Sequence, residues 1–448
     1  MNSFWLFLAA GVLILFTACT SNKPYRTSLT PCDTKSGADC RSAVIEVADD
    51  YKLGFVEFDD QGWFWNTNQL AAVRQMIRTE AGLDEPAKAE GIVIVLFVHG
   101  WKNNAAYDNK NVQMVRSTLS DLNQAEKAES SIQQRKARRV VGVYGGWRGL
   151  SARLEPFKEL SFYERKNTAH KIGYGAVTEL LIRLDGLQAE SNRRISAGAP
   201  KSELIIVGHS FGGALVYSAI SQVVTERFVA SIVERQQRMK PVGDLVILLN
   251  PAFEASRYDP VNELAASVGR YPETQRPVLA VFTSKADWAT KYFFPLGRIF
   301  STLFEKTRHD KAQRSAVLKA VGHFQPFITH DLVYDATVTN HSTFNPDKKK
   351  HERHTPERFQ ESIQNVRSLR DRWRANTVTG PAKPVAYAFD DCRLEARPNY
   401  VTGDPLLVVY VDKKIMKGHN DIANPVLLNF LREFIQFSRT NPVKQAGE

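Results

Sequence analysis

Six short apolar runs punctuate the chain: GIVIVLFV at 91–98, VVGVY at 140–144, LIIVG at 204–208, DLVILLN at 244–250, PVLAVFT at 277–283 and PLLVVYV at 405–411. Each is brief, rich in β-branched residues and apolar at successive positions, the pattern of a strand buried on both faces of a parallel sheet. Between the runs lie stretches with helical spacing, near 111–127, 168–190, 211–235, 258–268 and 424–439. The last opens with Asn424-Pro425, a capping residue followed by proline in the first helical turn. Upstream, Leu53–Phe58 and Trp63–Trp65 flank Asp59-Asp60-Gln61-Gly62, a hairpin signal. Strand and helix in alternation predict an α/β fold with a doubly wound, mostly parallel sheet.

The rhythm breaks between about 299 and 403, where no comparable apolar run occurs. That interval predicts a helical or irregular insertion before the last strand. Insertions there fall at the carboxyl edge of the sheet, where ligands bind, so the segment is expected to act as a cap. Phe293, Phe294, Phe300 and Phe304 are its candidate pocket-lining aromatics.

At the other end, Phe4 to Ala18 reads FWLFLAAGVLILFTA and stops at Cys19. This run is short for a bilayer of ~30 Å but suits a secretory signal. The polar, turn-rich stretch that follows reads as a tether. The expected layout is a signal at 1–18, a tether at 19–42 and a single domain at 43–448 that carries the insertion. Of the other cysteines, Cys32 and Cys40 enclose a short loop and could pair in an oxidising compartment, while Cys392 is an alternative partner for either.

Composition narrows the function classes. Across 448 residues, 43% are hydrophobic and 24% charged, which excludes a disordered chain, and Gly and Pro follow no period. The net charge of +11 raises the question of nucleic acid. From Arg298 to Arg374, however, fifteen Lys and Arg stand against nine Asp and Glu, so a local net of +6 sits in the insertion region. No base-stacking aromatics are interleaved with the Lys348–His354 charge run, so no nucleic-acid partner is expected. The region's histidines, His309, His323, His330, His341, His351 and His354, lack the spacing of a metal motif, and no metal or other cofactor is expected.

The chemistry concentrates where LIIVG runs into His209-Ser210-Phe211-Gly212-Gly213. Gly208, His209, Ser210, Phe211 and Gly212 form G-x-S-x-G between a strand and a helix. There the glycines allow a sharp turn that lifts the Ser210 hydroxyl above the sheet edge. In this the sequence resembles the α/β-hydrolase family of serine hydrolases. The resemblance implies an acid after a later strand and a histidine after the last one. Asp287, in the loop leaving PVLAVFT, and His419, preceded by Gly418 in the loop after PLLVVYV, stand at those places. Glu254, in Asn250-Pro251-Ala252-Phe253-Glu254, is the alternative acid. His99-Gly100-Trp101 leaves the 91–98 run like the family's oxyanion-hole loop. The backbone N–H groups of Phe211 and Trp101 are then the expected donors, and the His99 ring is a structural bridge between loops. Arg148, near the rim, is read as a loop-fixing ion pair.

The implied activity is hydrolysis of a small-molecule or lipid carboxylic ester through an acyl-Ser210 intermediate. The alternatives are an inactive envelope binding or scaffold protein of the same fold, or a phospholipase, thioesterase or amidase. Cys19, placed after small residues at the end of the apolar run, resembles the lipidated cysteine of bacterial lipoproteins. That resemblance implies a lipid-anchored envelope protein; an uncleaved N-terminal anchor and an ordinary signal peptide are the alternatives. With Thr20 and not Asp next, it would lie on the periplasmic side of the outer membrane in a two-membrane bacterium.

Overall fold

Each apolar run forms a strand, and its side chains alternate between two cores. In strand Ile92–Val98, Ile92, Ile94, Leu96 and Val98 face one core, whereas Val93 and Phe97 face the other. Strand Leu406–Val411 does the same, with Leu406 and Val408 opposed to Leu407, Val409 and Val411. A sheet apolar on both faces must be covered on both, and it is.

The computed structural model describes residues 22–439, apart from 86–88, 152–156, 236, 240, 307–309, 339–355, 380–385 and 399. Its strands are β1 (Cys32–Asp33), β2 (Ile45–Val47), β3 (Lys52–Phe58), β4 (Ile92–Val98), β5 (Arg139–Trp147), β6 (Glu203–His209), β7 (Leu245–Leu249), β8 (Leu279–Ser284), β9 (His330–Tyr334), β10 (Ala386–Phe389), β11 (Cys392–Ala396) and β12 (Leu406–Val411). Its helices are α1 (Thr67–Glu80), α2 (Lys110–Ile132), α3 (Phe157–Ile172), α4 (Thr178–Arg194), α5 (Phe211–Phe228), α6 (Ala255–Ser267), α7 (Phe294–Ser301), α8 (Lys311–Leu318), α9 (Pro356–Thr379) and α10 (Pro425–Ser438). The first core receives α1, α4, α5 and α6; the second receives α2, α9 and α10.

One mixed sheet of twelve strands runs in the order β1-β2-β3-β5-β4-β6-β7-β8-β12-β9-β11-β10. From β3 across to β9 every pairing is parallel. Antiparallel pairings lie toward the margins, β2 with β3 and β11 with both β9 and β10. The fold is therefore α/β with a mostly parallel sheet. Strand order reverses at β4, which pairs with β5 on one side and β6 on the other. Such a reversal opens a crevice beyond the carboxyl ends of the two strands.

Two expectations need correction. Residues 299–403 are not simply a helical or irregular cap, since β9, β11 and β10 extend the sheet past β12. The α9 side chains Val366, Leu369 and Trp373 join the second core, with Trp373 set edge-on to Phe437 at 5.3 Å. These strands escape a search for apolar runs because their sequences, HDLVY, AYAF and CRLEA, alternate in burial at the sheet's margin. The described part of the tether is also integrated. Arg26 is fully buried, pairs with Glu46 at 2.8 Å and stacks over the Phe55 ring, while Glu57 accepts from the Arg26 backbone N–H. The expected hairpin at 59–62 is present and short: Phe58 and Phe64 form an antiparallel bridge, the Asp59 N–H donates to the Trp63 carbonyl and the Trp65 N–H to the Glu57 carbonyl, each at 2.9 Å. Residues 1–18 and Cys19 lie outside the described residues.

Cys32 and Cys40 form a disulfide, and Cys392 is free and buried. Closing so short a loop limits the unfolded chain only modestly. Replacing both cysteines by alanine is expected to cost about 2–3 kcal/mol in urea unfolding. A reductant should lower the wild-type midpoint and leave that of the double variant unmoved.

Candidate active site

Ser210 terminates β6 with φ 57° and ψ −120°, a conformation that L-residues rarely hold, and α5 begins at the next residue. The turn survives because its neighbours leave no alternative. A Cβ on Gly212 would lie 2.0 Å from the Val98 carbonyl oxygen, so the first turn of α5 packs directly under the end of β4. A Cβ on Gly100 would lie 2.7 Å from that of Ser210, which places the His99-Gly100-Trp101 backbone against the serine. As the first residue of α5, Phe211 has an N–H outside the helical ladder.

The histidine arrives in the loop after β12, three strands along the sheet from β6. The His419 Nε2 atom lies 2.8 Å from the Ser210 hydroxyl, and its Nδ1 lies 2.9 Å from Asp287 Oδ2. The loop that carries it is tied down by residues whose part the sequence did not announce. His209 Nε2 and Asn250 Nδ2 each meet the His419 carbonyl at 2.9 Å. Asn250 also accepts from the Ser284 N–H, and the Ser284 hydroxyl donates to the Met416 carbonyl at 2.5 Å. Burial pulls the His209 imidazole down to about 3, so it remains neutral and can donate through Nε2.

Asp287 is fully buried. Burial pushes its carboxyl up, but His419 and two donors from Thr290 outweigh that and hold it below the ordinary range. The Thr290 N–H reaches Oδ1 at 3.1 Å, and its hydroxyl reaches Oδ2 at 2.5 Å. A hydroxyl has one hydrogen, so the Thr290 oxygen in turn accepts from His323 Nε2 at 3.0 Å. The line of contacts thus runs Ser210–His419–Asp287–Thr290–His323, two members longer than expected from sequence. In the sequence His323 is only one of the region's histidines without metal-motif spacing. Thr290, three residues after the acid, carries the one available signal, since a side chain there can cap its carboxylate.

Glu254, the alternative acid, is engaged elsewhere. It pairs with Lys166, with Arg298 at 2.9 Å and with Arg257 at 3.0 Å. Burial pushes its carboxyl up, yet these cations hold it at about 2. The His99 ring bridges loops, with Nδ1 on the Gly100 carbonyl and Nε2 accepting from the Trp147 N–H. Arg148 pairs with Asp60, which also takes Arg165 at 2.6 Å. Of the four aromatics expected to line a pocket, Phe294 is buried in the first core, whereas Phe293, Phe300 and Phe304 are exposed. Trp101, Phe162 and Phe211, beside the serine's turn, pack on one another at the first core, with Phe162 edge-on to Trp101 at 5.2 Å and 4.7 Å from Phe211. His309, His341, His351 and His354 are outside the described residues.

The two acids therefore separate by experiment. Glu254→Ala strands three cations and is expected to cost about 3–5 kcal/mol in urea unfolding at neutral pH. Because the folded carboxyl titrates below its ordinary value of 4.5, this contribution is complete above that pH and fades as pH falls toward 2. The variant should accordingly lose less stability than the wild type across that acid range. Comparison with known proteins returns no matching family model, curated protein or solved structure, so the arrangement of these side chains is what a functional reading has to rest on.

Proposed function

We propose that the protein is a serine hydrolase of the α/β-hydrolase type that cleaves carboxylic esters, tethered to a membrane through its N-terminal segment. The observation that carries this reading is the continuous contact from Ser210 Oγ through His419 to buried Asp287 on a strained strand-to-helix turn. A hydroxyl is a poor nucleophile until a base removes its proton as it attacks, and a histidine within 2.8 Å suits that task near neutral pH. Asp287 holds the Nδ1–H tautomer and stabilises the imidazolium without taking the proton.

Attack on an ester carbonyl forms a C–O bond to Ser210 and places charge on the carbonyl oxygen. The N–H groups of Phe211 and Trp101 are the proposed donors to that oxyanion, since both stand where backbone adjoins the serine. Collapse expels the alcohol, which takes the proton from His419. Water, deprotonated by the same imidazole, then hydrolyses acyl-Ser210.

The Cys32–Cys40 disulfide supports an oxidising compartment, in keeping with a signal at 1–18 and a lipidated Cys19. Among the described residues no helix is long and apolar enough to cross a membrane. The reading places the mature chain in a bacterial envelope, with a small-molecule or lipid ester as substrate and no cofactor.

A fluorophosphonate probe is expected to label the purified protein at Ser210, and Ser210→Ala should abolish labelling; equal labelling of both would falsify the proposal. Asp287→Asn is expected to lower kcat on a chromogenic ester by about 10⁴-fold, because the imidazole loses its tautomer control. Thr290→Val, which removes one donor to Asp287, should cost far less, on the order of tenfold, with KM unchanged.

A further inference from the structure

The turn that holds Asp287 is also the start of an exposed apolar face. From Trp288 onward the chain winds through a wide helical turn at Ala289–Phe293 into α7. Thr290, Phe294 and Gly297 point inward and are buried. Arg298 fixes the back of the helix, pairing with Glu254 at 2.9 Å and donating to the Val317 carbonyl. The opposite face carries Trp288, Tyr292, Leu296, Phe300, Leu303 and Phe304, all exposed, with Trp288 at 66%, Phe300 at 70% and Phe304 at 95%. Leu296 and Phe300 lie on α7 itself; Trp288 and Tyr292, their rings 4.6 Å apart, stand before it at the wide turn, and Leu303 and Phe304 follow its last residue, Ser301. Isolated exposed apolar residues are ordinary, but a contiguous row of this size marks a surface that another phase or molecule covers.

The charge beside the row identifies what covers it. An adjoining cleft of about 590 Å³ is lined by Lys291, Lys311, Arg314 and Lys319, together with Tyr292 and His323, and no carboxylate is among its described lining residues. Within 288–306 the only acid is Glu305. The residues combine aromatic side chains of the kind enriched at membrane interfaces, an apolar ridge and a collar of cations. Such a surface fits an anionic phospholipid layer, with acyl chains against the ridge and headgroup phosphates in the cleft. A protein partner would need a matching hydrophobic groove edged with acids, whereas a bilayer provides both phases at once.

We propose that the 288–304 face docks this protein onto an anionic phospholipid bilayer. Docking there brings the carboxyl edge of the sheet, and the turn bearing Asp287, against the lipid surface. It goes beyond the hydrolase reading, and its test reads binding alone, so it holds or fails independently of chemistry at Ser210.

The test uses the full-length protein with phosphatidylcholine vesicles, with and without phosphatidylglycerol, whose acyl chains carry bromine as a short-range quencher of tryptophan emission. The phosphatidylglycerol vesicles are expected to quench emission, and Trp288→Phe should remove most of that quenching. The difference between the two proteins reports this face and not the N-terminal apolar run. F300D/F304D, altering only exposed side chains, should remove the same component. R314Q/K319Q should weaken the affinity by about fivefold per cation, in a salt-sensitive manner. Trp288 quenching that persists in F300D/F304D, or that is equal without phosphatidylglycerol, would overturn the proposal. So would a wild-type dimer in sedimentation velocity that F300D/F304D converts to monomer while Trp288 stays unquenched, which would assign the face to a second copy of the chain.

Discussion

The close approach of α5 to the end of β4 is the constraint on which the rest of the site depends. With the Val98 carbonyl where a Gly212 side chain would be, the helix can start only after an abrupt reversal, and Ser210 occupies the reversal at φ 57°. A backbone held in that region costs on the order of 1–3 kcal/mol, which the surrounding packing must offset. The same approach sets the 99–101 loop against the serine and leaves the first N–H of α5 unpaired. Candidate nucleophile, turn and candidate oxyanion donors are therefore one packing arrangement and not three separate acquisitions.

The remaining members converge because parallel strands end together. Ser210, Asp287 and His419 follow β6, β8 and β12, so all three leave the same edge of the sheet. Convergence is sharpened by polar side chains with little freedom. Asn250, with φ 44° after β7, faces both the His419 carbonyl and the Ser284 N–H, and so links three loops. His209 adds a second hold on the same carbonyl. Both are buried, where a missing hydrogen bond is expensive, so each narrows the loop to essentially one geometry.

Electrostatics divide the acids between tasks that the chain alone left ambiguous. Asp287 and Glu254 each follow a central strand in a loop rich in turn formers. Glu254 is surrounded by Lys166, Arg298 and Arg257 and serves to bind α3, α6 and α7 together. Asp287 meets His419 and Thr290 and, among the described residues, no Lys or Arg at ion-pair distance. The resulting ion cluster behind α7 also explains how a helix with so apolar an outer face is held firmly to the molecule.

Much of this was legible along the chain. Six two-faced strands are apolar at successive positions, which no solvent-facing segment can be, and the G-x-S-x-G turn is local enough for its glycines to declare it. The order of Ser210, Asp287 and His419 was readable because each lies in the connection that leaves such a strand. The marginal strands β9, β10 and β11 were not, since half-buried edges need little apolar sequence and acquire their pairing from a neighbour. Arg26 read as a solvated tether residue because a buried cation is recognisable only once Glu46 and the Phe55 ring are seen around it. The links from Asp287 to His323 and from His209 and Asn250 to His419 join residues far apart in sequence. Local sequence thus determined the elements and the candidate nucleophile, where the controlling forces act over a few residues. Which carboxylate meets His419, the holding of that histidine and the outward face of α7 were decided only by tertiary structure, because they depend on which distant side chains share a place shielded from water.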